Sequence, residues 1–163
     1  MFTPKNNLTS ETVVTDKYLI ANSKTVSVGD AVELASGLVD LCDASSTAVL
    51  GIVVGFAKED GTPVTGQTDT TGNTVVTASD NTTVGKIYAI VNTSKEAAYY
   101  GTLDADAGTT TGSDVIGALF DFASETTLDE SSVGAGGLMQ VIGFDADDAT
   151  KVECKINVSA IRG

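Results

Sequence analysis

Apolar and polar residues alternate with a period of two along most of this chain, the pattern of strands that bury one face. The clearest stretch is 151–158 (KVECKINV), where Val152, Cys154, Ile156 and Val158 fall on one side. Lys151, Glu153, Lys155 and Asn157 fall on the other. Ahead of it, 138–144 (LMQVIGF) reads as a more apolar strand, covered on both faces. The polar DADDAT between them predicts a hairpin over 138–158.

The front half repeats the theme. VGDAVEL at 28–34, the turn ASG, and LVDLC at 38–42 read as strand, Gly turn, strand. LGIVVGFA at 50–57 predicts a fully buried central strand, and Gly51 and Gly55 within it predict a close backbone approach or a bulge. A turn-rich loop, KEDGTPVTGQTDTTGN, leads to short strands at 74–78 (TVVTA) and 86–91 (KIYAIV). SDVIGALFDF at 113–122 fits either a strand or a short helix, and SKEAAYY at 94–100 is the other weak helix candidate. Eight or nine short strands, with at most one or two short helices, predict an all-β chain built as a small antiparallel β-barrel or sandwich. Residues 17–163 read as a single domain. Residues 1–16 are polar, contain a Pro and read as an extended N-terminal arm, whose apolar residues are Phe2, Leu8, Val13 and Val14. The plain reading of those four is a frayed terminus; the functional one is strand addition to a neighbour's sheet edge.

Composition narrows the chemistry. The chain has 163 residues, enough to bury a core, and 22 acids against 9 bases give a net charge of −13. Five Phe, four Tyr and no Trp leave the core to Val, Ile, Leu and Ala. The absence of His removes Ser-His-Asp and Cys-His catalysis and any His-ligated metal site. Strong negative charge disfavours nucleic acid, whose phosphates need clustered Lys and Arg. The N-terminus shows no apolar signal segment, and the longest apolar run, 50–57, has eight residues where a spanning helix needs roughly 20. A soluble protein from a reducing cytoplasm, with no membrane partner, is expected. Cys42 and Cys154 stand 112 positions apart with no second pair, so each reads as a small buried hydrophobe. Four N-x-S/T triplets, at Asn7, Asn81, Asn92 and Asn157, carry no meaning without a secretory route. Residues 101–150 hold ten acids and no Lys or Arg. A solvated face is the simplest account of that stretch, with a cation site or a docking patch as the rivals.

Each motif fails in its details. Asp145, Asp147 and Asp148, and Asp104 and Asp106, resemble fragments of calcium loops, but neither loop has the alternating ligands, the Gly and the closing Glu of an EF-hand. Asp-rich turns between strands form for their own backbone reasons. GAGGLM places Met139 where a dinucleotide loop needs Gly or Ala, and it precedes a strand. Gly85-Lys86 is followed by Ile87, not by the Ser or Thr of a P-loop. DTTG at Asp69 is one residue too long for an aspartic-protease turn, and paired carboxylates for glycoside hydrolysis lack a Trp-lined groove. No catalytic, cofactor-binding or metal residue is assigned, and no enzymatic activity is expected.

Three stretches together resemble the head decoration, or capsid cement, proteins of tailed bacteriophages. They are VSVGDAVELASGLVDLCDAS followed at once by TAVLGIVVGFA, then GKIYAIVN, then LMQVIGFDADDATKVECKINV. They span roughly residues 25–158. The resemblance implies a β-rich structural virion protein, typically a homotrimer, that binds the outer surface of the shell and stabilises contacts between major capsid subunits. It implies synthesis in the bacterial host cytoplasm and a place on the virion, and it assigns no catalytic, cofactor or metal residue. Residues 1–16, with Phe2, Leu8, Val13 and Val14, would then be an arm that orders on the capsid. Against the most compact members, 93–137 is extra and reads as an acidic insertion or outward loop. The rival readings are another virion β-module (tail tube, tail tip or head fibre) and a carbohydrate- or calcium-binding domain of a bacterial surface protein.

Overall fold

A computed structural model describes residues 1–7, 14–68, 74–78, 86–94, 96–104, 115–129, 137–148, 150–157 and 159. Fourteen strands lie among them: β1 (Thr3–Asn7), β2 (Thr15–Leu19), β3 (Thr25–Ser27), β4 (Ala31–Ala35), β5 (Leu38–Leu41), β6 (Gly51–Lys58) and β7 (Gln67–Thr68), then β8 (Thr74–Thr77), β9 (Ile87–Asn92), β10 (Ala97–Leu103), β11 (Leu119–Ser124), β12 (Thr127–Asp129), β13 (Met139–Phe144) and β14 (Lys151–Ile156). The described residues form no α-helix. The chain is all-β, as its period-two pattern predicts.

The front half builds a five-stranded antiparallel sheet in the order β2-β9-β6-β4-β5. Its ends curl towards each other, since Ile20 bridges Val39 and the Ala21 amide donates to the Val39 carbonyl at 2.9 Å. The enclosed core holds Ile20, Val32, Val39, Val53, Phe56, Ala89 and Val91. A small sheet in the order β3-β8-β7 lays Val26 and Val76 on the same core. The ASG turn joins β4 to β5 through Ser36 (φ 54°) and Gly37 (φ 81°). Two left-handed residues in a row are what a two-residue hairpin of the favoured twist requires.

The back half closes on itself. β10 pairs with β14, β14 with β13, β13 with β11, β11 with β12, and β12 with β10. Only the last of these pairings is parallel. The result is a five-stranded barrel without an open seam, and β1 lies antiparallel beside the first half of β10. Alternate residues fill it: Leu103, Phe120, Phe122, Leu128, Met139, Val141, Val152, Cys154 and Ile156 are all buried. Ala31, Cys42, Val49 and Ile52 join this cluster from the front sheet. Sheet β2-β9-β6-β4-β5 is therefore apolar on both faces around β4 and β6. Ile52 faces the barrel and Val53 the front core, which is why LGIVVGFA runs apolar without alternation. Gly51 and Gly55 act as expected. A Cβ on Gly51 would run into the Asn92 carbonyl oxygen, and the β6–β9 register slips between Val53 and Gly55.

The 138–158 hairpin forms as β13 and β14, from Met139↔Ile156 to Phe144↔Val152. β13 is half-buried rather than covered on both faces, because Gln140 and Ile142 point away from the barrel interior. The structure bears on four other expectations. Of 94–100, Ala97–Tyr100 lie in strand β10 rather than a helix, since the two Tyr and the pairing with β1 and β14 outweigh the helix preference of Glu-Ala-Ala. Of 113–122, the described part from Leu119 onward is strand β11, reached through a turn at Gly117 (φ +86°). Residues 93–137 are no outward loop where described, because they supply β10, β11 and β12, three of the five barrel strands. Residues 1–16 are no free arm where described: Phe2 is 0% exposed, Thr3–Asn7 pairs with β10, and Thr15 begins β2. Leu8 and Val13 lie outside the described residues.

Candidate functional site

The N-terminal strand is where residues expected to make contacts and the barrel meet. β10 presents Gly101 inward, and the missing side chain leaves a hole in the barrel wall. The ring of Phe2 fills it: a Cβ on Gly101 would stand 2.7 Å from Phe2 Cε1 and 3.2 Å from Cys154 Sγ. Phe2 also meets Phe122 edge-on, with centroids 5.7 Å apart and the planes at 88°. The Phe2 amide donates to the Gly29 carbonyl at 2.9 Å, in the front lobe. The Met1 ammonium donates to the Thr126 carbonyl at 3.1 Å, in the β11–β12 turn. Its pKa is lowered by burial, against the opposing pull of the Asp30 and Glu125 carboxylates. Gly29, at φ +96°, leaves space that the Met1 side chain occupies. The Ala31 amide donates to the Glu125 carbonyl at 2.9 Å, so residues 1–2 sit at a seam stitched from both lobes.

The four arm residues thus separate. Phe2 is a core residue. Val14 is 51% exposed, and its carbonyl accepts a hydrogen bond from the Thr93 amide at 2.9 Å. Leu8 and Val13 fall outside the described chain. Sequence reasoning missed Gly101, whose signal was one glycine between Tyr100 and Thr102, directly after the helix candidate at 94–100.

The remaining reactive groups are built for burial. Cys42 and Cys154 are free and buried. Desolvation, then the Glu33 carboxylate, pushes the Cys42 thiol up; desolvation, then Glu153, does the same to Cys154. The Cys154 thiol donates weakly to the Tyr99 carbonyl at 3.6 Å. A thiol held protonated is a poor nucleophile. Tyr99 is fully buried, and its hydroxyl has no hydrogen-bond partner among the described residues. Burial, and then Cys154, raises its pKa.

The acidic loop after β13 is a turn, and Asp106 lies outside the described residues. Asp145 Oδ1 accepts from the Asp147 amide at 2.9 Å, and Asp148 Oδ1 accepts from the Thr150 amide and hydroxyl at 3.1 and 2.7 Å. The Thr150 hydroxyl, and then Lys151, hold the Asp148 carboxyl down at about 2. Among the described residues no three His, Cys, Asp or Glu are placed to hold a metal ion. A shallow groove of about 410 Å³ runs along β7 and β8 between Val64, Gln67 and Val75, and among the described residues no charged side chain lines it. A Cβ on Gly66 would collide with the Val75 carbonyl there, so the groove wall is backbone against backbone. Comparisons with family models, with curated proteins and with solved structures find no match to this chain.

Proposed function

We propose that this chain is a structural virion protein that binds the outer surface of a tailed-phage capsid and stabilises contacts between major capsid subunits. The observation that carries the reading is where the three phage-like stretches lie. They build β3 to β6, β9 and the β13–β14 hairpin, which supply most of the front core and two of the five barrel strands. The resemblance therefore involves the folding framework and not an appended loop. A contact role also suits a molecule whose buried thiols and tyrosine are held neutral, and a shell multiplies weak contacts by symmetry. Seven acids of 101–150 are described, and all sit on barrel strands or their turns, part or fully exposed: Asp104, Asp121, Glu125, Asp129, Asp145, Asp147 and Asp148. On this reading the acidic barrel surface faces solvent and discourages particles from associating.

The buried position of Phe2 decides which test is informative. Deleting residues 2–14 would remove core, so loss of binding would say nothing about an arm. The informative experiment co-sediments the intact protein with shells of the major capsid protein from the same genome. Saturable binding at a stoichiometry matching the lattice symmetry is expected. No binding to shells, or immunogold label on tails alone, would overturn the proposal in favour of another virion module.

A further inference from the structure

β1 is added to a barrel that closes without it. Tyr99 and Tyr100 pair with β1 on one side and with β14 on the other, so β1 and β14 flank opposite edges of β10. Thr102 pairs with both β12 and β14, so β12 shares the β1 edge further along. The five-strand circuit needs only the second half of that edge. The first half, with the hole over Gly101, is a slot that the chain fills with its own first residues.

The attachment is slight on the ladder and strong at one point. The ladder aligns Thr3↔Tyr100, Pro4↔Tyr99 and Asn7↔Ala97, and its register slips between Pro4 and Asn7. Pro4 has no N–H to contribute. The anchor is the ring of Phe2, fully buried against Gly101 and Phe122. A short irregular ladder opens at lower cost than the core, and an opened strand edge is a template for another strand.

We propose that the slot on β10 is also filled by exchange, with the Phe2–Asn7 segment of one copy inserting beside β10 of a neighbouring copy. The structure itself shows the occupant: an extended segment with an aromatic ring one residue before the first aligned pair. A second copy carries that segment in the correct register. Exchange preserves the pairing, the Phe2 contact and the Phe2–Gly29 hydrogen bond, so only the connection and the association entropy differ between closed and exchanged forms. The seven residues 8–14 span at most about 25 Å when fully extended, which sets the reach of such an exchange. This inference concerns copies of the chain alone and does not depend on a capsid.

Thr3 and Tyr100 are aligned and exposed, so each can be replaced without touching the core. Thr3→Cys protein and Tyr100→Cys protein are mixed in equal amounts at high concentration, oxidised, and separated without reductant. Cys42 and Cys154, being buried, do not compete. The expected product is the mixed disulfide, several-fold above either like-with-like dimer and rising with concentration. The double variant Thr3→Cys/Tyr100→Cys should shift from internally bridged monomer to covalent oligomer as concentration rises. A double variant that bridges only internally at every concentration, with no excess of the mixed dimer, overturns the exchange. A double variant that never bridges overturns the β1–β10 slot itself.

Discussion

Phe2 stands edge-on to Phe122, 5.7 Å between ring centroids and 88° between planes, and so ties the start of the chain to the interior of the barrel. An edge-to-face aromatic pair adds about 0.5–1.5 kcal/mol beyond its buried area. Truncating a buried Phe to Ala leaves a cavity as well as losing that area. Phe2→Ala should therefore lower the unfolding free energy by about 3–5 kcal/mol, read from urea titration, with Phe2→Leu retaining much of the loss. A change below about 1 kcal/mol would show that the ring is not in the barrel.

Gly101 and Phe2 should be coupled. A methyl group on Gly101 would stand 2.7 Å from the Phe2 ring and 3.2 Å from Cys154 Sγ, so one of them must move. Gly101→Ala is expected to cost about 1–3 kcal/mol through overpacking. In the Phe2→Ala background the ring is gone, and the same substitution should cost far less, or fill part of the cavity. The double-mutant cycle measures this directly, and strict additivity would mean that the two residues do not touch.

The same pair marks the boundary of what could be read from the chain. Strands with clean alternation or a turn signature were legible: the β13–β14 hairpin, the β4–β5 hairpin with its Ser36-Gly37 turn, and β6 with its two functional glycines. Those signals are local, because period two and left-handed turn residues act within a few positions. β10 and β1 were misread because their evidence is long-range. Lys-Glu-Ala-Ala looks helical until Tyr99 and Tyr100 find β14 on one side and β1 on the other. A polar segment with one Phe looks like an arm until Gly101, nearly a hundred positions away, provides a hole for it. Burial of both cysteines followed from their isolation in the chain, and that of Cys154 also from the apolar face of KVECKINV; both are free and buried.

Tyr99, whose side chain belongs to the barrel core, carries a buried hydroxyl with no partner among the described residues. Leaving such a group unsatisfied costs about 1–3 kcal/mol, and removing it at constant shape recovers part of that. Tyr99→Phe should thus be neutral or stabilising by about 1 kcal/mol, seen as a raised thermal midpoint. Loss of more than about 1 kcal/mol would mean that the hydroxyl is bonded after all, for instance through a trapped water.

Stability should fall on the alkaline side, and for an identifiable reason. Burial raises the pKa of both thiols above the ordinary 9.0, and that of Tyr99 above the ordinary 10.0. Above pH 9 the unfolded chain releases its thiol protons while the folded chain keeps them, so the folded state binds more protons. Rising pH then favours unfolding. The contribution is fully present below pH 9 and is lost progressively above it, with Tyr99 adding to the slope beyond pH 10. Each group contributes roughly 1 kcal/mol per pH unit while the folded form still holds its proton. Urea midpoints between pH 8 and 11 should therefore decline steeply, and Cys42→Ala and Cys154→Ala should each flatten the decline by about one group. A thiol reagent at pH 8 should leave the folded protein unmodified and label both cysteines once it is unfolded. Rapid labelling of the folded protein, or a midpoint indifferent to pH above 9, would place the thiols in contact with water.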